Sequence, residues 1–179
     1  MTDIIEEPNG QRRTWRRRLK KIALSLLSLY AILLIIAFAL HVPDQLIILP
    51  APGDMDAPSA TRSMIPFRYG HLDACTARSS LAQNRPPELY VLFFSGNQDR
   101  VNPWTAGVAQ LWQEHTGKAV EAWGVNLPGF GLSTGPAYVS RIGAAGLAAY
   151  DAVRAKAGTA PIVVHAASLG TLAHPGSAS

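Results

Sequence analysis

Residues 162–170 have the sequence IVVHAASLG, an apolar segment of strand length that continues into a run of small residues. Two similar apolar segments precede it, Leu89 to Phe94 (LYVLFF) and Ala119 to Leu127. Helical patterns separate the three, at Trp104 to Thr116 and in the Ala-rich segment Val139 to Ala157. Because continuously apolar strands that alternate with helices are typical of a parallel sheet covered on both faces, the sequence predicts an α/β fold with a parallel sheet.

An apolar segment nearer the N-terminus predicts a helix that crosses a membrane. Ile22 to Leu40 comprises nineteen residues without a charge, and at ~1.5 Å per residue it spans about 28 Å, close to the hydrocarbon thickness of a bilayer. Seven Lys and Arg residues precede it, and none stands between Lys21 and Arg62. The positive-inside rule therefore predicts a single-pass protein with residues 1–21 as a basic cytoplasmic tail and the C-terminal part outside the cytoplasm.

A cleaved signal peptide is the alternative for this segment. It is favoured by the A-x-A pattern of Ala37, Phe38 and Ala39 directly after the apolar residues. The length of the segment favours a membrane anchor, because the apolar core of a signal peptide is shorter, about 7 to 15 residues.

The charge distribution excludes a nucleic-acid-binding face. The chain has 16 Lys and Arg against 12 Asp and Glu, and the first 21 residues hold the whole surplus. From Ile22 onward, nine basic residues balance nine acidic ones, so we expect no nucleic-acid partner. A hydrophobic content of 48% and a single cysteine exclude a disordered tail and a disulfide scaffold.

Residues 41–87 are rich in Pro, Asp, Ser and Ala, and they predict a juxtamembrane connector that leads into peripheral strands, with two short extended candidates, Leu46 to Leu49 and Ser63 to Tyr69. His71, Asp73 and Cys75 alternate in this region, which would place three potential metal ligands on one face of a strand. No fourth ligand follows at a recognisable spacing, so we expect solvated loop residues and neither a metal nor a cofactor.

The residues around Ser168 carry the pattern most closely tied to chemistry. The pentapeptide from Ala166 to Gly170 (AASLG) is G-x-S-x-G with alanine in place of the first glycine. In this pattern, called a nucleophile elbow, a sharp turn from strand to helix lifts the serine oxygen above the edge of the sheet, and small residues on both sides let the backbones pass closely. Because the pentapeptide ends a predicted parallel strand, Ser168 is a candidate nucleophile.

With two upstream segments, the chain resembles the α/β-hydrolase superfamily. Residues 93–97 (FFSGN) are similar to the oxyanion loop after the family's third strand, with Ser95 where histidine is frequent. Residues 126–135 (NLPGFGLSTG) are similar to the Pro-Gly-x-Gly-x-Ser loop after the fourth strand, and the elbow follows the fifth. The similarity covers about residues 88–172, and the N-terminal helix is similar to that of anchored lipase-like and peptidase-like members.

The resemblance implies a role for each matching residue. Ser168 would be the acyl-accepting nucleophile, and the backbone N–H groups of Leu169 and Asn97 would form the oxyanion hole, with Gln98 as the neighbouring alternative to Asn97. Ala166 and Gly170 would shape the elbow. The implied protein is a membrane-anchored serine hydrolase that acts on ester, thioester or amide bonds of an acyl-type small molecule or a lipid, without a cofactor.

The chain departs from the family pattern after the elbow. An acid and then a histidine should follow the serine, but Ser168 is followed by eleven residues with His174 and no acid. We expect neither His174 nor His165 to act as the base, and we expect His165, buried at the end of the third predicted strand, to be a core or turn residue. The family's fifth strand also pairs with the third and with a sixth, and the missing sixth would leave an apolar edge open to a partner chain.

We therefore expect residues 88–179 to be the N-terminal part of a hydrolase domain with an incomplete sheet, ended early by truncation or a frame change and inactive alone. A non-catalytic membrane-anchored interaction module, or a remnant, is the alternative.

A dinucleotide-binding module is a further interpretation, because Gly129, Gly131 and Gly135 follow a strand. Their spacing is one residue too long for it, and Asp151 falls inside a predicted helix.

Overall fold

A computed structural model of the chain describes residues 9–57 and 59–173, which form two compact units divided after Pro43. The first unit is the helix α1, Asn9–Ala39. From Trp15 to Ala39 this helix is long and apolar enough to cross a membrane, and its apolar part is not buried inside the protein. The predicted N-terminal helix is thus confirmed, and its properties fit a membrane anchor and a signal sequence alike.

The second unit contains a five-stranded mixed sheet in the order β1-β2-β4-β3-β5. The strands are β1 (Thr61–Phe67), β2 (Gly70–Arg78), β3 (Leu89–Phe94), β4 (Val120–Val125) and β5 (Ile162–Ala166). Strand β3 pairs in parallel with both β4 and β5, whereas β1 and β2 are antiparallel to each other and β2 is antiparallel to β4. The three predicted strands are confirmed, and their parallel arrangement is as predicted.

The predicted parallel arrangement does not extend to the β1 and β2 edge, where the strands are antiparallel and make the sheet mixed. A tight connection joins Phe67 to Gly70, whose φ of 149° suits glycine. Two strands joined by so short a loop are antiparallel, because a parallel pair needs a crossover of a dozen or more residues. The connector therefore contributes a hairpin to the sheet edge.

Two helices cover the sheet on opposite faces. Helix α3 (Thr105–Thr116) packs on one face, and helix α4 (Val139–Ala157) packs on the other. Alternate residues of the central strands are divided between these two cores: Val91, Phe93, Val120 and Ala122 lie with α3, and Tyr90, Leu92, Phe94 and Val125 lie with α4. Both predicted helices are confirmed, and α3 ends where predicted, before Gly117 with its left-handed φ of 67°.

The connector contains a short helix where an extended segment was expected. Helix α2 spans Val42–Ile47, so the extended structure predicted for Leu46 to Leu49 is wrong. Pro43 and Asp44 lie in the first turn of α2, where proline fits without losing a helical hydrogen bond and a carboxylate is stabilised by the helix dipole. The second extended segment, Ser63 to Tyr69, is confirmed by strand β1.

Candidate functional site

Ser168 lies directly after the carboxyl end of β5, at a sharp change of chain direction. Its φ is 48°, in the left-handed region that side chains other than those of Gly, Asn and Asp rarely adopt, and the residue is exposed. A 3₁₀ helix, Ser168–Ala173, begins at this residue. The Ala167 N–H donates to the Phe94 carbonyl at 3.1 Å and so fixes the turn to the end of β3. A left-handed backbone at an exposed serine after a strand is the conformation that a nucleophile elbow would require.

Glycine at position 170 allows the turn to pack against the loop after β3. A Cβ at Gly170 would lie 2.7 Å from the Ser95 carbonyl oxygen and 2.8 Å from the Phe94 Cβ. A Cβ at Gly96 would lie 3.4 Å from the Ser168 Cβ, so the loop passes beside the serine. The structure therefore brings Ser168 and Gly170 together with Ser95 and Gly96, at the ends of two adjacent parallel strands. Ala166, half-buried, pairs with Phe94 in the last register position.

Asn97, whose backbone is a candidate oxyanion donor, uses its side chain to bind the connector. The Leu49 N–H donates to Asn97 Oδ1 at 2.8 Å, and Asn97 Nδ2 donates to the Ile47 carbonyl at 2.7 Å. The amide thus forms two backbone hydrogen bonds to a segment about fifty residues earlier. Gln98, the neighbouring candidate, has a left-handed φ of 63°, whereas Leu169 is buried.

His165 is held by a tryptophan of helix α3. The Trp112 indole N–H donates to His165 Nδ1 at 3.1 Å, and the imidazole also packs edge-on against Phe93. These contacts place the ring among the residues that face α3, which agrees with the expected structural role. The residue is half-buried rather than buried. His174 lies outside the described residues.

A buried polar network that the sequence did not predict lies around the end of β4. Asp73 is fully buried in β2, with Oδ2 accepting hydrogen bonds from Asn126 Nδ2 at 2.9 Å and from the Leu132 N–H at 3.1 Å. Arg62 Nε lies 3.1 Å from Asp73 Oδ1, an ion pair without hydrogen-bond alignment. The expectation of a solvated loop residue is therefore wrong for Asp73, because its charge is compensated inside the protein.

Cys75 belongs to the same buried network and is also not a solvated residue. Its Sγ accepts a hydrogen bond from Asn102 Nδ2 at 3.4 Å, and that asparagine's Oδ1 accepts one from Asn126. Burial raises the pKa of the Cys75 thiol, and the negative charge of Asp73 raises it further. His71, by contrast, is exposed, and its backbone pairs with Thr134. The three alternating residues therefore do not share one environment.

The glycine-rich loop after β4 closes onto this network. Gly131 has a φ of 56°, and a Cβ there would lie 2.7 Å from Asp73 Oδ2. Ser133 Oγ accepts from the Asp73 N–H and donates to the Asn126 carbonyl, both at 2.8 Å. The loop glycines thus permit close packing on a carboxylate, which is unfavourable for a bound pyrophosphate. Asp151, the residue considered for a ribose contact, lies inside α4.

Within residues 9–57 and 59–173, no group of three or more His, Cys, Asp and Glu side chains is arranged to hold a metal ion. Comparisons with protein-family models, curated proteins and solved structures found no match to this chain. The geometry around Ser168 therefore carries the functional argument. The one signal in the sequence that points to the buried network is an aspartate between the apolar residues Leu72 and Ala74.

Proposed function

We propose that this chain carries the nucleophile-bearing part of a membrane-anchored serine hydrolase of the α/β-hydrolase type, with Ser168 as the acyl-accepting residue. The substrate class is an ester, thioester or amide of an acyl compound. The observation that carries the proposal is the left-handed φ of Ser168, an exposed non-glycine residue at the carboxyl end of a parallel strand. A strained backbone at such a position is unfavourable for stability and is typical of functional sites.

The surroundings of Ser168 support the proposal. The tight contact of Gly170 with the end of β3 and the passage of Gly96 beside the serine match the close backbone packing that an elbow requires. The pairing of β5 with β3 agrees with the arrangement that the family resemblance implies. In this assignment the backbone N–H groups of Leu169 and Asn97 stabilise the negative charge of the tetrahedral intermediate.

The helix α1 supports attachment to a membrane. In the proposal it spans the bilayer through Ile22 to Leu40, with the basic residues before it on the cytoplasmic side and the hydrolase unit on the other side. Reaction at Ser168 also needs a general base. The proposal assigns this role to no described residue, because His165 Nδ1 is engaged by Trp112.

An interaction module is the second candidate function, and one observation favours it. Among the described strands, β5 pairs with β3 alone, and all five of its residues are half-buried. Its free backbone groups are a template for another strand. In this alternative, the sheet edge binds a partner chain and Ser168 has no chemical role.

Labelling with a fluorophosphonate distinguishes the two functions. The full chain in detergent micelles is treated with the probe, whose phosphorus is attacked by an activated serine oxygen with loss of fluoride. A hydrolase with an activated serine predicts labelling that Ser168→Ala abolishes. The interaction module predicts no labelling, because an unassisted hydroxyl is a weak nucleophile. Ser140→Ala, at an exposed serine in the first turn of α4, is the matched control and should label like the parent chain.

The absence of labelling on a folded full chain would refute an activated Ser168 in this chain and would agree with the expectation that the chain is inactive alone. Labelling that survives Ser168→Ala would assign the reaction to another serine and would also refute the proposal. Folding is verified by thermal unfolding of each variant, so that loss of labelling is not confused with loss of structure.

A further inference from the structure

A cleft lies on the α4 face of the sheet, toward the end opposite Ser168. We propose that it binds a small sugar that carries an anionic group. The cleft has a volume of about 480 Å³, within the usual range of ~300 to 1,000 Å³ for small-molecule sites. Its floor is formed by the beginnings of β1 and β4 and the end of β2, and Lys156 near the end of α4 forms part of its wall.

The cleft contains an indole ring that is held in a fixed orientation. Trp123 Nε1 donates to Glu121 Oε1 at 2.9 Å, and Arg78 Nε donates to Glu121 Oε2 at 2.8 Å. The Glu121 side chain is 5% exposed, so the carboxylate acts as a buried bridge between the two donors. Because both ends of this chain of hydrogen bonds are anchored in strands, the half-buried ring of Trp123 is preorganised in the cleft.

Two cationic groups line the same cleft and are available to a ligand. Arg78 is held through Nε, and its two terminal nitrogens bond no residue in the described part of the chain. Lys156 is exposed, and its ammonium group forms no ion pair with any residue of the described ranges. With Glu121 compensated by Arg78 and the indole N–H, the cleft has an excess of positive charge. This charge favours an anionic ligand.

Hydroxyl groups on neighbouring strands give the cleft its polar character. Thr61 and Thr76 are cross-strand partners, and Thr76 pairs in turn with Trp123, so the three side chains form one row on the floor. Thr76 Oγ1 donates to the Thr61 carbonyl at 3.0 Å and keeps its lone pairs as acceptors. A row of hydroxyls beside an indole face suits a sugar, whose hydroxyls exchange hydrogen bonds while its C–H face packs on the negative face of the ring.

The proposal is independent of the reaction at Ser168 and is tested by calorimetric titration of the full chain in detergent micelles. The probes are glucose 6-phosphate and glucuronate. Glucose and inorganic phosphate are the controls, because they carry only the sugar or only the anionic group. We expect one or both anionic sugars to bind with a Kd of about 1 mM. Glucose and phosphate should each bind at least about fivefold more weakly. Binding of only one anionic sugar would identify the anionic group.

Two charge-matched variants test the assignment to this cleft. Lys156→Gln should weaken the anionic sugars roughly fivefold, the effect of one partly exposed ion pair. Lys118→Gln removes the same charge from an exposed lysine outside the cleft and should leave the affinity unchanged. Both positions are exposed, so neither change should prevent folding. The proposal would be overturned if glucose or phosphate bound as tightly as the anionic sugars, or if neither anionic sugar gave heat. An unchanged affinity in Lys156→Gln would overturn it as well.

Discussion

Replacement of Gly146 by alanine tests how the segment after Ser168 is held. Gly146 lies in the middle of α4, buried against the 3₁₀ helix Ser168–Ala173. A Cβ at this position would overlap the carbonyl oxygen of Ala173 and lie 2.5 Å from its carbonyl carbon and 2.8 Å from its Cα. These are backbone atoms, so a rotamer change cannot relieve the contact. The 3₁₀ helix must move away from α4, or α4 must bend.

Two effects of opposite sign decide the result. Alanine is intrinsically more favourable than glycine inside a helix by ~0.8 to 1.0 kcal/mol. Overpacking of a well-packed interior costs about 1 to 3 kcal/mol, and a rigid backbone neighbour favours the upper part of that range. We expect Gly146→Ala to lower the free energy of unfolding by about 1 to 2 kcal/mol. For a unit of this size, that corresponds to a decrease in Tm of roughly 4 to 8 °C.

Gly107 in α3 is the matched control, because a Cβ there meets no atom within 4 Å. Gly107→Ala should therefore retain the helix-propensity gain and raise the free energy of unfolding by about 0.5 to 1 kcal/mol. Both variants are compared with the parent chain in detergent by thermal unfolding, followed by tryptophan fluorescence. A Gly146→Ala variant as stable as Gly107→Ala would refute the packing of the 3₁₀ helix on α4.

Four further substitutions or conditions test the site and its support. Ser168→Gly should raise the free energy of unfolding by about 0.5 to 1 kcal/mol, because the left-handed φ is relieved, whereas Ser168→Ala should not; equal stability of the two in denaturant titrations would contradict the strain. Asp73→Ala should destabilise by about 2 to 4 kcal/mol in the same titrations, since Asn126 Nδ2 and the Leu132 N–H lose their buried acceptor, and a loss below about 1 kcal/mol would argue against the network. Asn97→Ala should cost about 1 to 2 kcal/mol and accelerate hydrogen exchange at the Leu49 amide, so unchanged exchange would refute the link to the connector. Because the pKa of Cys75 is raised in the folded chain, the unfolded chain loses the thiol proton first, and the free energy of unfolding should fall as pH rises above about 8.5. Cys75→Ser should remove this decrease between pH 7 and 10, and the same pH dependence in both chains would contradict the prediction.

The central part of the fold could be predicted from the sequence because local and tertiary preferences agree there. Helix α4 was predicted from Val139 to Ala157 and has those bounds. Strand β3 was predicted from six consecutive apolar residues, and all of them are buried. Leu46 to Leu49 could not be assigned in the same way, because four apolar residues fit a strand and a helical turn equally well.

The buried polar network around Asp73 could not be predicted, because its members are distant in the sequence. Asp73 and Asn126 are separated by 53 positions, and Arg62 reaches Asp73 across a strand pair. Viewed alone, the alternation of Asp73 and Cys75 with apolar residues is typical of a strand with one solvated face. Both faces are in fact covered, one by α4 and one by α3 with its preceding loop. Each buried polar group depends on a partner that only the folded chain brings near.

The connector is hydrogen-bonded to two loops of the folded unit. Its backbone is bound by the Asn97 side chain at Ile47 and Leu49. Further on, the Gly131 N–H donates to the Ala51 carbonyl, and the Gly131 carbonyl accepts from the Gly53 N–H, both at 2.9 Å. One segment is thus hydrogen-bonded to the loops after β3 and β4, the same loops that the resemblance associates with catalysis. A displacement of residues 47–53 must break hydrogen bonds to both, so this segment is an integral part of the folded unit and is not merely a tether.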